Sequence, residues 1–340
     1  MILIIMQREK MRKISKVAAI LMAMTLAVTG CGSSNSNNET QAKNEKQKIV
    51  FALQAGIAYA PMKIMEAKKL VEKNYDGNVE IEWKIMNNGA EINEGITAGE
   101  IDFGALGVSP AIAAIKSGVP CKIYSGVSAI PYGIQTNKEN IKSLKDITAE
   151  DQIVLANINS QPHILLAMAA KQILGDAHAL DANLVAMGSA DGYSSLLSGA
   201  VQCHMVISPY NFMENAEDNI HTIEVSEDVW PLGNTYIVAL ASNKIHDENA
   251  DLYNAVLKAT EEAMEFINSN TEETAQILSA DYDADVKDIQ TWLTDKAADY
   301  TTEVKGIADL SKFMVEEGFL DADKEVKDIS EISFDNVKGN

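Results

Sequence analysis

Short apolar runs rich in β-branched residues alternate with amphipathic stretches along most of the chain. In the amphipathic stretches apolar residues recur three and four positions apart, which is the spacing of one helix face. The predicted strands lie at residues 49–53, 79–85, 103–106, 153–156, 184–187 and 204–207, and the predicted helices at 61–73, 90–98, 162–174 and 193–197. Such alternation of strand and helix is typical of α/β folds with parallel strands.

One segment of this pattern occurs twice. Residues 99–110 read GEIDFGALGVSP, and residues 199–209 read GAVQCHMVISP. In each copy a glycine turn and a buried strand lead to a Ser-Pro pair, and we predict that Ser109 and Ser208 cap new helices with proline in the first turn. A helix that starts at the carboxyl end of a parallel strand directs free amides into the crevice there. The repeat therefore predicts two similar lobes, each with such a helix start.

The chain becomes mostly helical after Trp230. The predicted elements are a strand at 235–241 and helices at 250–268, 272–278, 284–293 and 307–317. Because little strand remains for a third sheet, we expect this tail to pack on the first lobe. The chain then crosses between the lobes near 132–136 and near 233–236, and the two crossings form a hinge. Cys121 and Cys203 fall in different lobes, so we expect two separate buried thiols.

The first 30 residues have the pattern of a secretory signal. Basic residues precede an apolar run at 17–28, and small residues follow up to Cys31. The run is too short to cross a hydrocarbon core of about 30 Å, which takes roughly 20 residues, so we predict cleavage before Cys31. The segment LAVTGC at 26–31 resembles the bacterial lipoprotein box, which implies a diacylglycerol on the Cys31 thiol. Residues 31–47 are almost free of apolar side chains and are predicted to form a disordered tether.

The chain carries 28 basic and 49 acidic side chains, a formal net charge of −21. Removal of the predicted signal leaves 23 basic and 48 acidic side chains, a net charge of −25. Nucleic acid is excluded as a partner, because phosphate neutralisation needs a basic face. Both arginines, Arg8 and Arg12, lie in the predicted signal. Without a guanidinium clamp, an anionic ligand has to be held by lysine, hydroxyls or backbone amides.

Several short motifs follow one another in a characteristic order. They are AGEIDFG at 98–104, Ser109-Pro110, GVP at 118–120, SLKD at 143–146, NSQPH at 159–163, and GAV at 199–201 followed by Pro209-Tyr210. Together they resemble the extracytoplasmic solute-binding proteins of nitrate, sulfonate and taurine importers, including the related group that binds thiamine pyrimidine precursors. The resemblance covers residues 48–317. It departs from the family pattern at Asn159, where glycine is usual, and at Gln202-Cys203, where Asp-Ala is usual.

The resemblance implies a two-lobed α/β protein of the periplasmic-binding-protein type II fold, each lobe a mostly parallel sheet flanked by helices. Residues 48–134 and 236–335 are assigned to lobe 1, and residues 135–235 to lobe 2. It also implies a monomer that closes on a small solute at the outer face of the cytoplasmic membrane. The solute then passes to the permease and ATPase subunits of an ABC importer. We expect no catalysis, no cofactor and no metal.

A solute shifts the balance between open and closed lobes only through its different affinity for the two states, so contacts must come from both lobes. The candidates follow predicted strands, start predicted helices or are aromatic residues near the crossings. They are Gln54, Tyr59 and Ser109 in the first lobe, Ser160, Gln161, His163, Asp191 and Tyr210 in the second, and Tyr132 and Trp230 near the crossings. Simpler roles exist for three of them, since His163 and Asp191 are also suited to capping helices and Tyr210 to the core.

The sequence leaves two classes of solute open. Paired helix starts with hydroxyls suit an oxyanion, because a helix N-terminus carries about half a positive charge. The acidic surface, however, repels anions and attracts cations and zwitterions. These facts favour a sulfonate or taurine-like zwitterion over nitrate. The alternative is a neutral heteroaromatic, such as a thiamine pyrimidine precursor, stacked on tyrosine or tryptophan.

Two other functions compete with solute import. A pyrimidine-forming enzyme of related fold needs a cofactor lysine and a metal or redox site. The five histidines show no paired spacing, and the sequence contains no Gly-x-Ser-x-Gly elbow or phosphate loop. A sensory lipoprotein that presents the same solute to a receptor has the same closed shape, so the sequence does not separate it from an importer component.

Overall fold

A computed structural model describes residues 46–282 and 284–340. The predicted signal, the predicted lipidation site Cys31 and the predicted tether up to residue 45 lie outside these residues. In the part of the chain that is described, no helix is both long enough and apolar enough to cross a membrane.

Two five-stranded sheets form the framework of the described residues. In chain order their strands are β1 (Gln47–Gln54), β2 (Val79–Met86), β3 (Phe103–Gly107), β4 (Cys121–Ser128), β5 (Tyr132–Thr136), β6 (Ile153–Leu155), β7 (Leu184–Ala186), β8 (Cys203–Ile207), β9 (His221–Ile223) and β10 (Ile237–Ser242). The first sheet has the order β2-β1-β3-β10-β4, and the second has the order β7-β6-β8-β5-β9. β10 and β5 run antiparallel to their neighbours, whereas the other pairs are parallel. Each sheet is therefore mixed: four strands run in one direction, three of them as adjacent parallel neighbours, and β10 or β5 runs in the other.

Helices flank both sheets. They are α1 (Ala60–Lys68), α2 (Leu70–Asn74), α3 (Gly89–Ala98), α4 (Val108–Lys116), α5 (Gln161–Leu174), α6 (Ser189–Leu197), α7 (Tyr210–Asn215), α8 (Asn243–Glu248), α9 (Ala250–Ser269), α10 (Thr271–Leu278), α11 (Val286–Leu293) and α12 (Ile307–Glu316). The predicted helix at 61–73 is split, because Lys69 adopts a left-handed φ of 52° that ends α1. The break directs Leu70 and Val71 of α2 into the core, where α2 packs against α9.

The segment 132–136 differs from the prediction. We expected a crossing between lobes there, but it is β5, which pairs with β8 on one side and β9 on the other. Ile134, Gln135 and Thr136 are all buried, so this strand lacks the alternation of apolar and polar residues that strand prediction uses. The first connection between the sheets is therefore the stretch 129–131, and the second is the stretch 224–236.

The first sheet takes its strands from residues 47–128 and 237–242, and the second from residues 132–223. The exact lobe boundaries given above stay a prediction. In the tail, Ile123 N–H of β4 donates to Ile332 O, and Phe334 N–H donates to Ile123 O, both at 2.9 Å. The tail thus packs against the first sheet. Cys121 on β4 and Cys203 on β8 are buried free thiols in different sheets, as expected.

Candidate functional site

A cavity of about 420 Å³ lies between the two sheets and is lined by residues from both. It forms at the carboxyl ends of the three adjacent parallel strands of each sheet, which is where open α/β sheets bind their ligands. The lining residues at or just after those ends are Gln54, Asn88, Gly107, Asn157, Ser189 and Ile207. The cavity is therefore the candidate binding site.

Gln54 and Tyr59, both predicted from the sequence, lie together on the first-sheet side of the cavity. Gln54 Nε2 donates to the Tyr59 hydroxyl at 2.5 Å. Burial raises the pKa of Tyr59, and the hydrogen bond from Gln54 opposes this shift only partly. The hydroxyl therefore stays neutral and keeps its own proton available for a solute acceptor.

The turn before α5 brings Asn159, Ser160 and Gln161 to the second-sheet side. Asn159 adopts a left-handed φ of 62°, which asparagine tolerates better than most residues. The departure from the usual glycine therefore preserves the turn. Ser160 is the N-cap residue of α5, yet its hydroxyl makes no capping hydrogen bond. The Ser160 Oγ is buried without a hydrogen-bond partner in a residue that lines the cavity.

Ser109 does not cap α4, contrary to the prediction, because the helix already begins at Val108. Val108 N–H donates to Tyr236 O at 3.1 Å. Ser109 N–H donates to Gln161 Oε1 at 2.8 Å, and Pro110 has no N–H to offer. The first turn of α4 therefore presents no free amide to a solute, since a side chain from the other side of the cavity already fills this helix start.

The second Ser-Pro pair also fails to form the predicted cap. α7 begins at Tyr210, directly after Pro209, and no side chain caps it. Ser208 N–H instead donates to Pro131 O at 3.2 Å, which ties the end of β8 to the connection at 129–131. The repeated segments thus mark equivalent strand ends in the two sheets, but not equivalent helix caps.

Four residues that line the cavity each carry a buried polar atom without a hydrogen-bond partner. The atoms are Asn93 Oδ1, Ser160 Oγ, Gln161 Nε2 and the Tyr236 hydroxyl oxygen. Buried polar groups in proteins are almost always satisfied, so such atoms indicate a place for a ligand or ordered water. Burial raises the pKa of Tyr236 well above its usual value, so its hydroxyl is neutral. The set offers one acceptor, one donor and two hydroxyls.

The charge of the lining is low. Of the described residues that line the cavity, the one charged side chain is that of Glu94, which is exposed on α3. Apolar walls come from residues such as Ala113, Val119 and Met205. Residues 46–282 and 284–340 contain no group of three or more His, Cys, Asp or Glu side chains that could hold a metal ion. The arrangement can hold a small solute through hydrogen bonds and apolar contacts.

His163 lies next to the cavity but does not line it. Its Nδ1 accepts a hydrogen bond from Asn159 N–H at 3.0 Å, and its ring packs edge-on against Phe319 with centroids 5.4 Å apart. Burial lowers the pKa of His163, although Asp181 opposes this. The neutral ring therefore supports the turn that carries Ser160.

Asp191 and Tyr210 are also placed outside the cavity lining. Asp191 is exposed in the first turn of α6, and it is not the N-cap residue, because that position is Gly188. Tyr210 opens α7, and its ring lies 6.0 Å from that of Tyr193. Neither residue is brought together with Ser160 and Gln161.

Tyr132 and Trp230 lie in a second, smaller cavity of about 180 Å³ beside the two connections between the sheets. Burial raises the pKa of Tyr132 to about 12, so this residue is neutral as well. The predicted stacking partners therefore line this second cavity and not the main one.

Asn88, Asn93 and Tyr236 line the cavity but were missed in the sequence analysis. Asn88 is the N-cap residue of α3, where its side chain accepts from Glu91 N–H at 3.1 Å. Asparagine after a strand and three residues before glutamate is a recognisable helix start. Asn93 and Tyr236 carry no such signal, because only the packing of two distant segments brings them to the cavity.

Solved structures of solute-binding proteins share this architecture. The periplasmic aliphatic sulphonate binding protein SsuA from Escherichia coli superimposes with a TM-score of 0.66 and 21% identity, over 85% of this chain and 98% of that one. The periplasmic nitrate-binding protein NrtA from Synechocystis PCC 6803 superimposes with a TM-score of 0.67 and 16% identity, over 85% of this chain and 86% of that one. The fold is that of the two-lobed periplasmic binding proteins, which confirms the predicted fold class.

Sequence comparisons agree with the fold. A protein of Bacillus subtilis (strain 168) with the provisional name of an aliphatic sulfonates-binding protein is 22% identical over 322 residues, which is 85% of this chain and 93% of that protein. The model of the NMT1-like family matches residues 42–280. The chain belongs to the NMT1-like family, and the resemblance seen in its motifs is confirmed.

Proposed function

We propose that this protein is the solute-binding component of an ABC importer, held at the outer face of the cytoplasmic membrane by a lipid on Cys31. It captures a small solute in the cavity between the sheets, acts as a monomer and passes the solute to the permease and ATPase subunits. Membership of the NMT1-like family and relatives named for sulfonate and nitrate binding support a binding role over catalysis.

The observation that carries the proposal is the set of unpartnered polar atoms on residues that line the cavity. Asn93 on α3 and Tyr236 before β10 belong to the first-sheet side, whereas Ser160 and Gln161 belong to the second. A solute that satisfies all four atoms bridges the two sides of the cavity. Such a solute binds the closed state better than the open state, which is the condition for closure.

Different observations support two classes of solute. The names of the relatives support a sulfonate or taurine-like solute. The cavity itself favours a neutral solute such as a heteroaromatic, because no lysine or arginine of the described residues lines it. A buried charge without a compensating partner is costly.

Calorimetry with taurine, methanesulfonate, nitrate, bicarbonate and hydroxymethylpyrimidine tests the proposal. The double variant Ser160→Ala, Tyr236→Phe is expected to bind the solute found in this panel about 30-fold more weakly, since each lost hydrogen bond is worth about 1 kcal/mol. The matched control is Ser279→Ala, Tyr75→Phe, which changes the same residue types outside the cavity lining and should bind as wild type does.

Unchanged affinity in the cavity variant would place the solute elsewhere. If none of the solutes in the panel binds, both solute classes would be overturned. Uptake measurements then separate the importer from a sensory lipoprotein. Deletion of the gene abolishes uptake of the bound solute if the protein serves an importer, and leaves uptake unchanged if it serves a receptor.

A further inference from the structure

Gln161 belongs to the second-sheet side of the cavity, but its side chain binds a residue of the first-sheet side. It is the first residue of α5, and it is 1% exposed. Its Oε1 accepts two hydrogen bonds from Ser109 in the first turn of α4, one from the backbone N–H at 2.8 Å and one from the hydroxyl at 2.5 Å. The amide oxygen thus occupies the place that a solute oxygen takes at an open helix start.

The orientation of this amide follows from chemistry. The Ser109 N–H is a donor and needs an acceptor, so the Gln161 oxygen has to face it. The Gln161 Nε2 then points away from Ser109, and it is buried without any hydrogen-bond partner in a residue that lines the cavity. The Ser109 N–H at the start of α4 is therefore occupied, and the neutral N–H group of Gln161 is left as the unpartnered donor.

We propose that Gln161 is a specificity-determining residue that excludes oxyanions from the start of α4 and selects a neutral oxygen or ring nitrogen in the solute. This inference rests on the proposed function, since it concerns the same cavity. Nearby, Asn93 Oδ1 is an unpartnered acceptor that repels an oxyanion and calls for an N–H group. The two amides together favour a neutral solute that carries both an acceptor and a donor.

Gln161→Ala tests the inference by a gain of binding. The variant frees the Ser109 N–H and hydroxyl, so methanesulfonate is expected to bind it at least about fivefold more tightly than wild type. In protein labelled with ¹⁵N-serine, the Ser109 amide signal, assigned by its loss in Ser109→Ala, should shift on titration with methanesulfonate in the variant and stay in place in wild type. Gln161→Ser provides a second variant with the same expectation.

Gln172→Ala is the matched control, because Gln172 lies on the same helix and is exposed. It should leave methanesulfonate binding as in wild type. A Ser109 signal that moves in wild type, or that moves in neither Gln161 variant, would overturn the inference.

The two proposals can fail separately. If no solute of the panel closes the protein but methanesulfonate reaches Ser109 only in the Gln161 variants, the proposed function fails and the role of Gln161 stands. If wild type closes on methanesulfonate and its Ser109 signal shifts, the proposed function stands and the role of Gln161 fails.

Discussion

Glu214→Ala is expected to lower the free energy of unfolding by about 3–5 kcal/mol. Glu214 on α7 and His204 on β8 are both completely buried, with His204 Nδ1 and Glu214 Oε1 2.6 Å apart. Removal of one partner leaves the other buried without compensation, and the structure offers no replacement, since His204 Nε2 also has no partner. Chemical denaturation at neutral pH measures the loss.

Asp218→Ala is the control for this prediction, because Asp218 is exposed three residues after α7 ends and should change stability by no more than about 0.5 kcal/mol. An equal effect of the two variants would contradict the importance of the buried pair.

The same pair predicts a dependence of stability on pH. Burial raises the pKa of Glu214 above its ordinary value of 4.5, and the hydrogen bond with His204 opposes this only partly. The folded state thus holds the Glu214 proton more tightly than the unfolded state does. The stabilisation that this tighter proton binding adds is complete below pH 4.5 and is lost as the pH rises through the raised pKa. Glu214→Gln removes this titration, so its stability should fall less over that range than that of wild type.

Gly107→Ala is expected to weaken solute binding by about 100-fold, which corresponds to about 2.7 kcal/mol, within the usual cost of overpacking. A Cβ at Gly107 would lie 2.8 Å from Gln161 Cβ, whereas its next neighbour, Pro110 Cδ, is at an ordinary 3.5 Å. The clash therefore falls between the two sides of the cavity and not within the first sheet. The variant should fold normally, with thermal stability close to that of wild type, and fail to close.

A double-mutant cycle with Gln161→Gly gives the matched control for this prediction. Gln161→Gly removes the Cβ that the new methyl group meets, so Gly107→Ala should cost little further affinity in that background. Equal costs in both backgrounds would show that the methyl group acts within the first sheet instead.

The sequence predicted the fold through features that are local. The parallel strands, their helices and the family motifs all depend on short stretches of chain, and the structure contains these strands and helices, with the helix predicted at 61–73 divided at Lys69. β5 was not predicted as a strand, because its polar residues Gln135 and Thr136 are buried between two neighbouring strands. The sequence pattern treats polar residues as exposed, and these two are not.

The site was less accessible to prediction because its chemistry depends on contacts between distant segments. Gln54, Tyr59, Ser160 and Gln161 were found at strand ends and helix starts and do line the cavity. The predicted capping role of Ser109 was wrong. The local pattern could not show that Ser109 N–H donates a hydrogen bond to Gln161, which is 52 residues away in the chain. Asn93 and Tyr236 carry no local signal at all.

The central claim is that a solute held by groups from both sheets draws the two sides of the cavity together. Small-angle X-ray scattering of wild type, with and without saturating solute from the panel, tests it most directly, with calorimetry to show that the site is filled. The radius of gyration is expected to be smaller in the presence of the solute, and no such change is expected in Gly107→Ala. Superimposable wild-type profiles at full occupancy would contradict it.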